Sequence, residues 1–226
     1  MKLVFDYDGT LFESASAYVP AFHSVCAFIE QQGLQVARQL SDEEIGYWIG
    51  ISSKELWNQV CPSLDEELKA RCSALLGSEM QRIVSAGQAH LYPCIPETLS
   101  ALQSNGHTLV FLSNCHHRYM ETHREAFGLD RWFSAFYCCE DYSWAPKADV
   151  FGRVVDDLDG TGADLGSYVV IGDRFHDMEI ARVHGVAGVG CAYGYGNAEE
   201  LEHARVIAHA PHDLLGVLEQ LCTASA

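Results

Sequence analysis

The chain has 226 residues, enough for one large domain or a domain with a smaller companion. Its formal net charge of −17, with 14 Lys and Arg against 31 Asp and Glu, argues against a nucleic-acid partner, because phosphate backbones are bound by basic patches. No apolar run approaches the ~18 residues a membrane span needs, and the N-terminus has no secretory-signal pattern, so a cytoplasmic protein is expected.

Lys2 to Phe5 reads as a buried strand, and it runs into Asp6-Tyr7-Asp8-Gly9-Thr10. Two carboxylates so close at a strand end repel each other and resist burial, so a cation is expected to compensate them. Gly9 permits the sharp turn that follows, and Thr10 orders it.

Residues 14–89 read as helical throughout, in three or four helices. In the first, Val19, Phe22, Cys26 and Ile29 share one face, and Gly33 ends it. Ser41 with Glu44, Ser52 with Glu55 and Ser63 with Glu66 have capping-box spacing. Trp48 and Trp57 read as core residues of this segment.

From residue 90 strands alternate with helices. PETLSALQSNG is a helix stopped by Gly106. HTLVFLSN is a buried strand, followed by a helix over 118–127 and a short strand near 136–138. A helix over 148–157, the strand SYVVIGD, a helix over 177–184, and the strands VAGVGCA and RVIAHA follow. PHDLLGVLEQL closes the chain as a helix with Pro211 in its first turn. Such alternation predicts an α/β fold, a parallel sheet with right-handed crossovers, whose ligands sit outside the carboxyl ends of the strands.

The nine cysteines (Cys26, Cys61, Cys72, Cys94, Cys115, Cys138, Cys139, Cys191, Cys222) are odd in number and contain no Cys-x-x-Cys, so reduced thiols are expected. Cys115-His116-His117 and His123 have the donor types of a metal site. Their placement on one helix reads instead as a solvated face.

The groups just after the strands carry the chemistry: Asp6 and Asp8 after the first, Ser113 and Asn114 after the second, Lys147 after the third, Asp173 and Asp177 after the fourth. Asp6, Asp8 and Asp173 are hard oxygen donors suited to Mg²⁺. A carboxylate can attack phosphorus to form an aspartyl-phosphate, and a second can serve as acid and then base. Lys147, the Ser113 hydroxyl and backbone N–H groups near Asp8 would meet the phosphoryl charge. Asn114 either bonds substrate or Asp6, or caps its loop. Arg174 and His176 read as surface or loop packing.

DYDGTL at 6–11, LVFLSN ending in Ser113 and Asn114, Lys147, and GDRFHD at 172–177 together resemble the four motifs of the haloacid dehalogenase-like superfamily. YPCIPETLSALQSNGHTLVFLSN and AYGYGNAEEL look like its phosphoglycolate-phosphatase-like branch. Cys94 stands where that branch has Gly, and Glu13 where the family often has Asp.

The resemblance covers the whole chain. It implies a Rossmann-like three-layer core of residues 1–13 and 90–226, with an all-helical cap, 14–89, inserted after the first strand. It also implies Mg²⁺ dependence and two-step hydrolysis of a small-molecule phosphate ester, by a monomer or homodimer. On it, Asp6 is the nucleophile and Asp8 the acid/base. Ser113, Asn114 and Lys147 bind phosphate, and Asp6, Asp8, Asp173 and Asp177 serve the metal, Asp177 directly or through another ligand. A phosphomutase and a non-catalytic phosphate-binding module are the alternatives. An acid at Asp8, two residues past Asp6, is what separates phosphatases and mutases from dehalogenases of this superfamily.

Overall fold

A computed structural model describes residues 1–36, 40–46, 48–49 and 53–224. The Ser52–Glu55 pair and the Cys222 side chain lie outside what is described. The chain forms two compact units, one of Met1–Glu13 with Leu91–Ala226, the other of Ser14–His90.

The larger unit is built on β1 (Lys2–Phe5), β2 (Thr108–Ser113), β3 (Phe133–Cys138), β4 (Tyr168–Gly172), β5 (Ala187–Cys191) and β6 (Val206–Ala208). They form one parallel sheet in the order β3-β2-β1-β4-β5-β6. Strand β1 is central, with Val4 level with Val110 on one side and Val170 on the other. The chain runs outward from β1 through β2 and β3, then returns to lay β4 on β1's other edge. The gap between β1 and β4 is therefore the topological switch point, where open α/β sheets hold their ligands.

Alternation along the strands gives the sheet two apolar faces. Val4, Val110, Leu112 and Val170 pack with Phe151, Val154 and Tyr168. On β1, β2 and β3, Phe5, Phe111 and Phe133 meet edge to face. Strand β3 thus begins at Phe133, earlier than the 136–138 expectation, because Phe133 is anchored in that cluster.

The helices are numbered in chain order, α1 to α4 belonging to the smaller unit. Those of the larger unit are α5 (Ile95–Ser104), α6 (His117–Phe127), α7 (Lys147–Asp159), α8 (Phe175–His184) and α9 (Leu214–Ala224). Cys94, the residue before α5, holds φ +68°, the left-handed region that the branch's Gly would occupy without strain. In α6, His123 is not on a solvated face. It is fully buried, and its Nδ1 lies 2.9 Å from the Tyr7 hydroxyl. Burial lowers its pKa to about 3, so the ring is neutral.

The smaller unit comprises α1 (Ala15–Gln31), α2 (Asp42–Gly46), α3 (Ser53–Val60) and α4 (Glu66–Ser85). The buried stripe of α1 is Tyr18, Phe22, Val25 and Ile29, flanked by Ala17 and Ala21. Val19 and Cys26, expected at its centre, are half-buried. The stripe is rotated toward the two buried alanines, and α1 packs against α4. The Ser41–Glu44 box forms, each side chain bonding the other's backbone N–H. Ser63 is not the cap of α4. The Asp65 carboxylate takes the Leu68 N–H at 2.8 Å instead and caps α4, as a charge at a helix N-terminus is favoured to do. Trp57 is buried and stacked on Phe22, as a core residue should be. Among the described residues no helix is long and apolar enough to cross a membrane.

Candidate active site

Asp6 follows β1, and its backbone N–H is bonded to the Ile171 carbonyl at 2.8 Å, which fixes it beside the end of β4. Tyr7 next to it is buried, stacked on Phe12, with the chain turning back as the Leu11 and Phe12 N–H groups bond the Tyr7 carbonyl. Asp173 follows β4 directly, and Asp177 lies in the first turn of α8. Lys147 is the first residue of α7, one position before the helix start expected from the sequence, and Pro146 before it suits the helix entry.

These four side chains converge. Asp6, Asp173 and Asp177 are buried and place carboxylate oxygens within 4.8 Å of one another. The Lys147 ammonium, itself buried, donates to Asp6 Oδ1 at 2.6 Å and to Asp177 Oδ1 at 2.5 Å. The other Asp177 oxygen and both oxygens of Asp173 are held by the backbone and neighbours. Asp177 Oδ2 accepts the Arg174 N–H, Asp173 Oδ2 the Tyr195 N–H at 2.7 Å, and Asp173 Oδ1 the Thr10 hydroxyl at 3.4 Å.

The electrostatics follow from burial. Desolvation, then the Asp177 charge, raises Asp6 well above the ordinary carboxylate range, with Lys147 opposing. Desolvation and Asp177 push Asp173 up to about 7. Burial opposes the Lys147 charge, but Asp177 and Asp6 outweigh it and its pKa rises. With all three carboxylates ionised, their charge would exceed that of the one ammonium by two, which is the charge a divalent cation cancels. An all-oxygen set of carboxylates fits Mg²⁺.

Asp8 is not in this group. Its Oδ1 accepts the Tyr119 hydroxyl at 2.6 Å, and the Tyr119 ring lies against His123 with centroids 4.0 Å apart. The metal role expected of the Asp8 side chain is thus not reproduced by its placement. Ser113 ends β2 buried, with its hydroxyl against the Cys115 thiol, and Asn114 is exposed in the bend after it. Neither is bonded to the carboxylates among the described residues. Arg174 pairs with Glu200 at 2.8 Å, the packing role expected of it.

Tyr193 to Gly196 receive no site role from the sequence, and the glycines around the carboxylates prove to be packed directly on them. A Cβ at Gly9 or Gly194 would overlap the Asp173 side chain, one at Gly172 the Asp177 carboxyl, and one at Gly196 the Asp173 carbonyl. The Tyr193 hydroxyl donates to the Thr10 carbonyl at 2.8 Å. Tyr193 to Gly196 follow β5, so the strand-end rule used elsewhere would have found them. The spacing of Tyr119, Met120 and His123 on α6 was the signal for the Asp8 contact.

A family model described as haloacid dehalogenase-like hydrolase matches residues 3–191. A 5'-nucleotidase of Pseudomonas aeruginosa is 32% identical over 134 residues, 59% of this chain and 57% of that protein. A phosphoglycolate phosphatase of Agrobacterium fabrum is 25% identical over 88% of this chain and 83% of its own. The crystal structure of a predicted phosphoglycolate phosphatase from Haemophilus somnus superposes with a TM-score of 0.78, at 23% identity and covering 96% of each chain, a likeness of fold.

Proposed function

The chain belongs to the haloacid dehalogenase-like hydrolases, and we propose that within that family it is a Mg²⁺-dependent phosphatase acting on a small phosphate monoester, phosphoglycolate-like or a sugar phosphate. The observation that carries this reading is the buried Asp6–Asp173–Asp177 group paired with Lys147 at the switch point of the sheet.

Asp6, Asp173 and Asp177 would hold the cation. Bound there, Mg²⁺ supplies positive charge to phosphoryl oxygens and keeps the raised carboxylates ionised. Asp6 attacks phosphorus, forming the aspartyl-phosphate as the ester P–O bond breaks. The Asp8 carboxyl gives its proton to the departing alkoxide. As carboxylate it then takes a proton from the water that attacks phosphorus, which releases phosphate and restores Asp6. Tyr119, donating to Asp8 Oδ1, holds this group in one orientation. Lys147 neutralises charge on the transferred group, and Ser113 with Asn114 is assigned to its remaining oxygens. The role of the helical unit, excluding water and choosing the leaving group, is proposed from its insertion between Asp8 and β2.

The test is phosphate release from a panel of small phosphate esters, with and without Mg²⁺, beside Asp6→Asn protein. Mg²⁺-dependent turnover that falls by roughly 10³-fold or more in the variant is expected. Metal-independent release, or full activity in Asp6→Asn, would refute the reading. Isomerised sugar phosphate formed faster than free phosphate would mark a mutase.

A further inference from the structure

Outside the carboxylate site, the larger unit gathers a second set of donors of a different kind. Cys138 closes β3, Asp141 lies in the 3₁₀ turn Cys139–Tyr142 that follows, and His117 opens α6. One thiol sulfur, one imidazole nitrogen and one carboxylate oxygen lie within 4.8 Å of one another. His117 Nδ1 is 2.9 Å from Asp141 Oδ2. Ligand atoms around a tetrahedral ion bound at roughly 2.0–2.3 Å stand about 3.3–3.7 Å apart, so the three need only small movements to share one.

We propose that His117, Cys138 and Asp141 form a second cation site, selective for a divalent ion of the zinc class and separate from the Mg²⁺ site. The donor types decide the selectivity. Sulfur and imidazole nitrogen favour zinc-class ions, whereas the all-carboxylate group favours Mg²⁺. Three protein ligands leave the fourth position of the ion to water or an outside ligand.

The surroundings support a fixed site. Glu140 holds the entry of α6 by accepting the His117 N–H at 2.7 Å, and its other oxygen lies 2.8 Å from His116 Nδ1. That bracket ties the turn carrying Asp141 to the helix carrying His117. Cys138 is buried and Asp141 exposed, so an ion can enter from solvent and meet a sulfur shielded from it. Binding replaces the thiol proton: Cys138–SH gives up H⁺ and the sulfur binds the ion as thiolate. An exposed ion pair between His117 and Asp141 would by itself contribute little stability, and the Cys138 thiol is hydrogen-bonded to the same Asp141 carboxylate, so the three donors already face one another.

The test uses Co²⁺ as the probe, titrated into the reduced full chain with excess Mg²⁺ filling the carboxylate site. A thiolate-to-cobalt charge-transfer band in the near ultraviolet should grow to saturation at one equivalent and bleach when Zn²⁺ is added. Cys138→Ser should abolish it. His117→Ala and Asp141→Asn, both exposed and with circular dichroism unchanged, should weaken Co²⁺ binding tenfold or more. Cys94→Ser, which removes an exposed thiol elsewhere, should leave the band intact. No band in the native chain overturns the proposal. So does a band unchanged in His117→Ala and Asp141→Asn, or one lost in Cys94→Ser.

Discussion

Glycines show how differently the two units are constrained. At the carboxyl end of the sheet, Gly9, Gly172, Gly194 and Gly196 have no room for even a methyl group, because Asp173 and Asp177 are pressed against them. In the helical unit, Gly33, Gly46, Gly77 and Gly87 have nothing within 4 Å of where a Cβ would be. The site is thus shaped by backbone packed directly on its carboxylates. The helical unit is held by side-chain stripes such as Tyr18, Phe22, Val25 and Ile29, which tolerate change around them.

The sharpest break of this contrast is a methyl group at each kind of position. Gly172→Ala drives its Cβ into the Asp177 carboxyl and should cost about 3 kcal/mol in urea unfolding, with loss of activity. An unaffected Gly172→Ala protein would contradict the packing described.

Next in size is Tyr119→Phe, which removes the donor to Asp8 but keeps the ring on His123. On the proposed mechanism kcat should fall about tenfold with KM within about twofold, since the bond orients a proton-transfer group and not the substrate. A change confined to KM would move Tyr119 out of that role.

A third outcome concerns pH. Asp173 titrates near 7 in the fold against an ordinary value of 3.8, so the folded chain keeps a proton that the unfolded chain has released. Without divalent ions this contribution lowers stability as pH rises from about 4 to about 7. Added Mg²⁺ should therefore raise the thermal midpoint more at pH 8 than at pH 5, and Asp173→Asn should flatten that difference. Equal shifts at both pH values would contradict the crowding of these carboxylates. The smallest effect is the counterpart in the helical unit: Gly77→Ala, exposed within α4, should add about 0.5–1 kcal/mol.

The same contrast explains what could be read from the sequence. Asp6, Lys147, Asp173 and Asp177 were legible because each lies just past an apolar strand or opens the helix after one, and a parallel sheet brings those ends together. Tyr193, Tyr195 and the glycines after β5 obey the same rule but carry no charge to attract notice. Tyr119 and His123 were hidden for another reason. Histidine and tyrosine look polar in a pattern, yet here they are packed with Tyr7 and Phe12, and only three-dimensional neighbours show it. In the helices, periodicity gave the elements but left the α1 face a residue out of place. It put the α4 cap at Ser63 instead of Asp65, since nearby residues of similar propensity compete for such positions.

Trapping the phosphorylated enzyme would show whether Asp6 is the nucleophile. The protein would be mixed with a turned-over ester and Mg²⁺, quenched, reduced with borohydride and digested, and the Asp6 peptide examined by mass spectrometry. An acyl-phosphate on Asp6, seen as its reduced form, is expected, and its absence in Asp6→Asn. Turnover with no modification at Asp6, or with phosphate carried on another residue, would contradict that role.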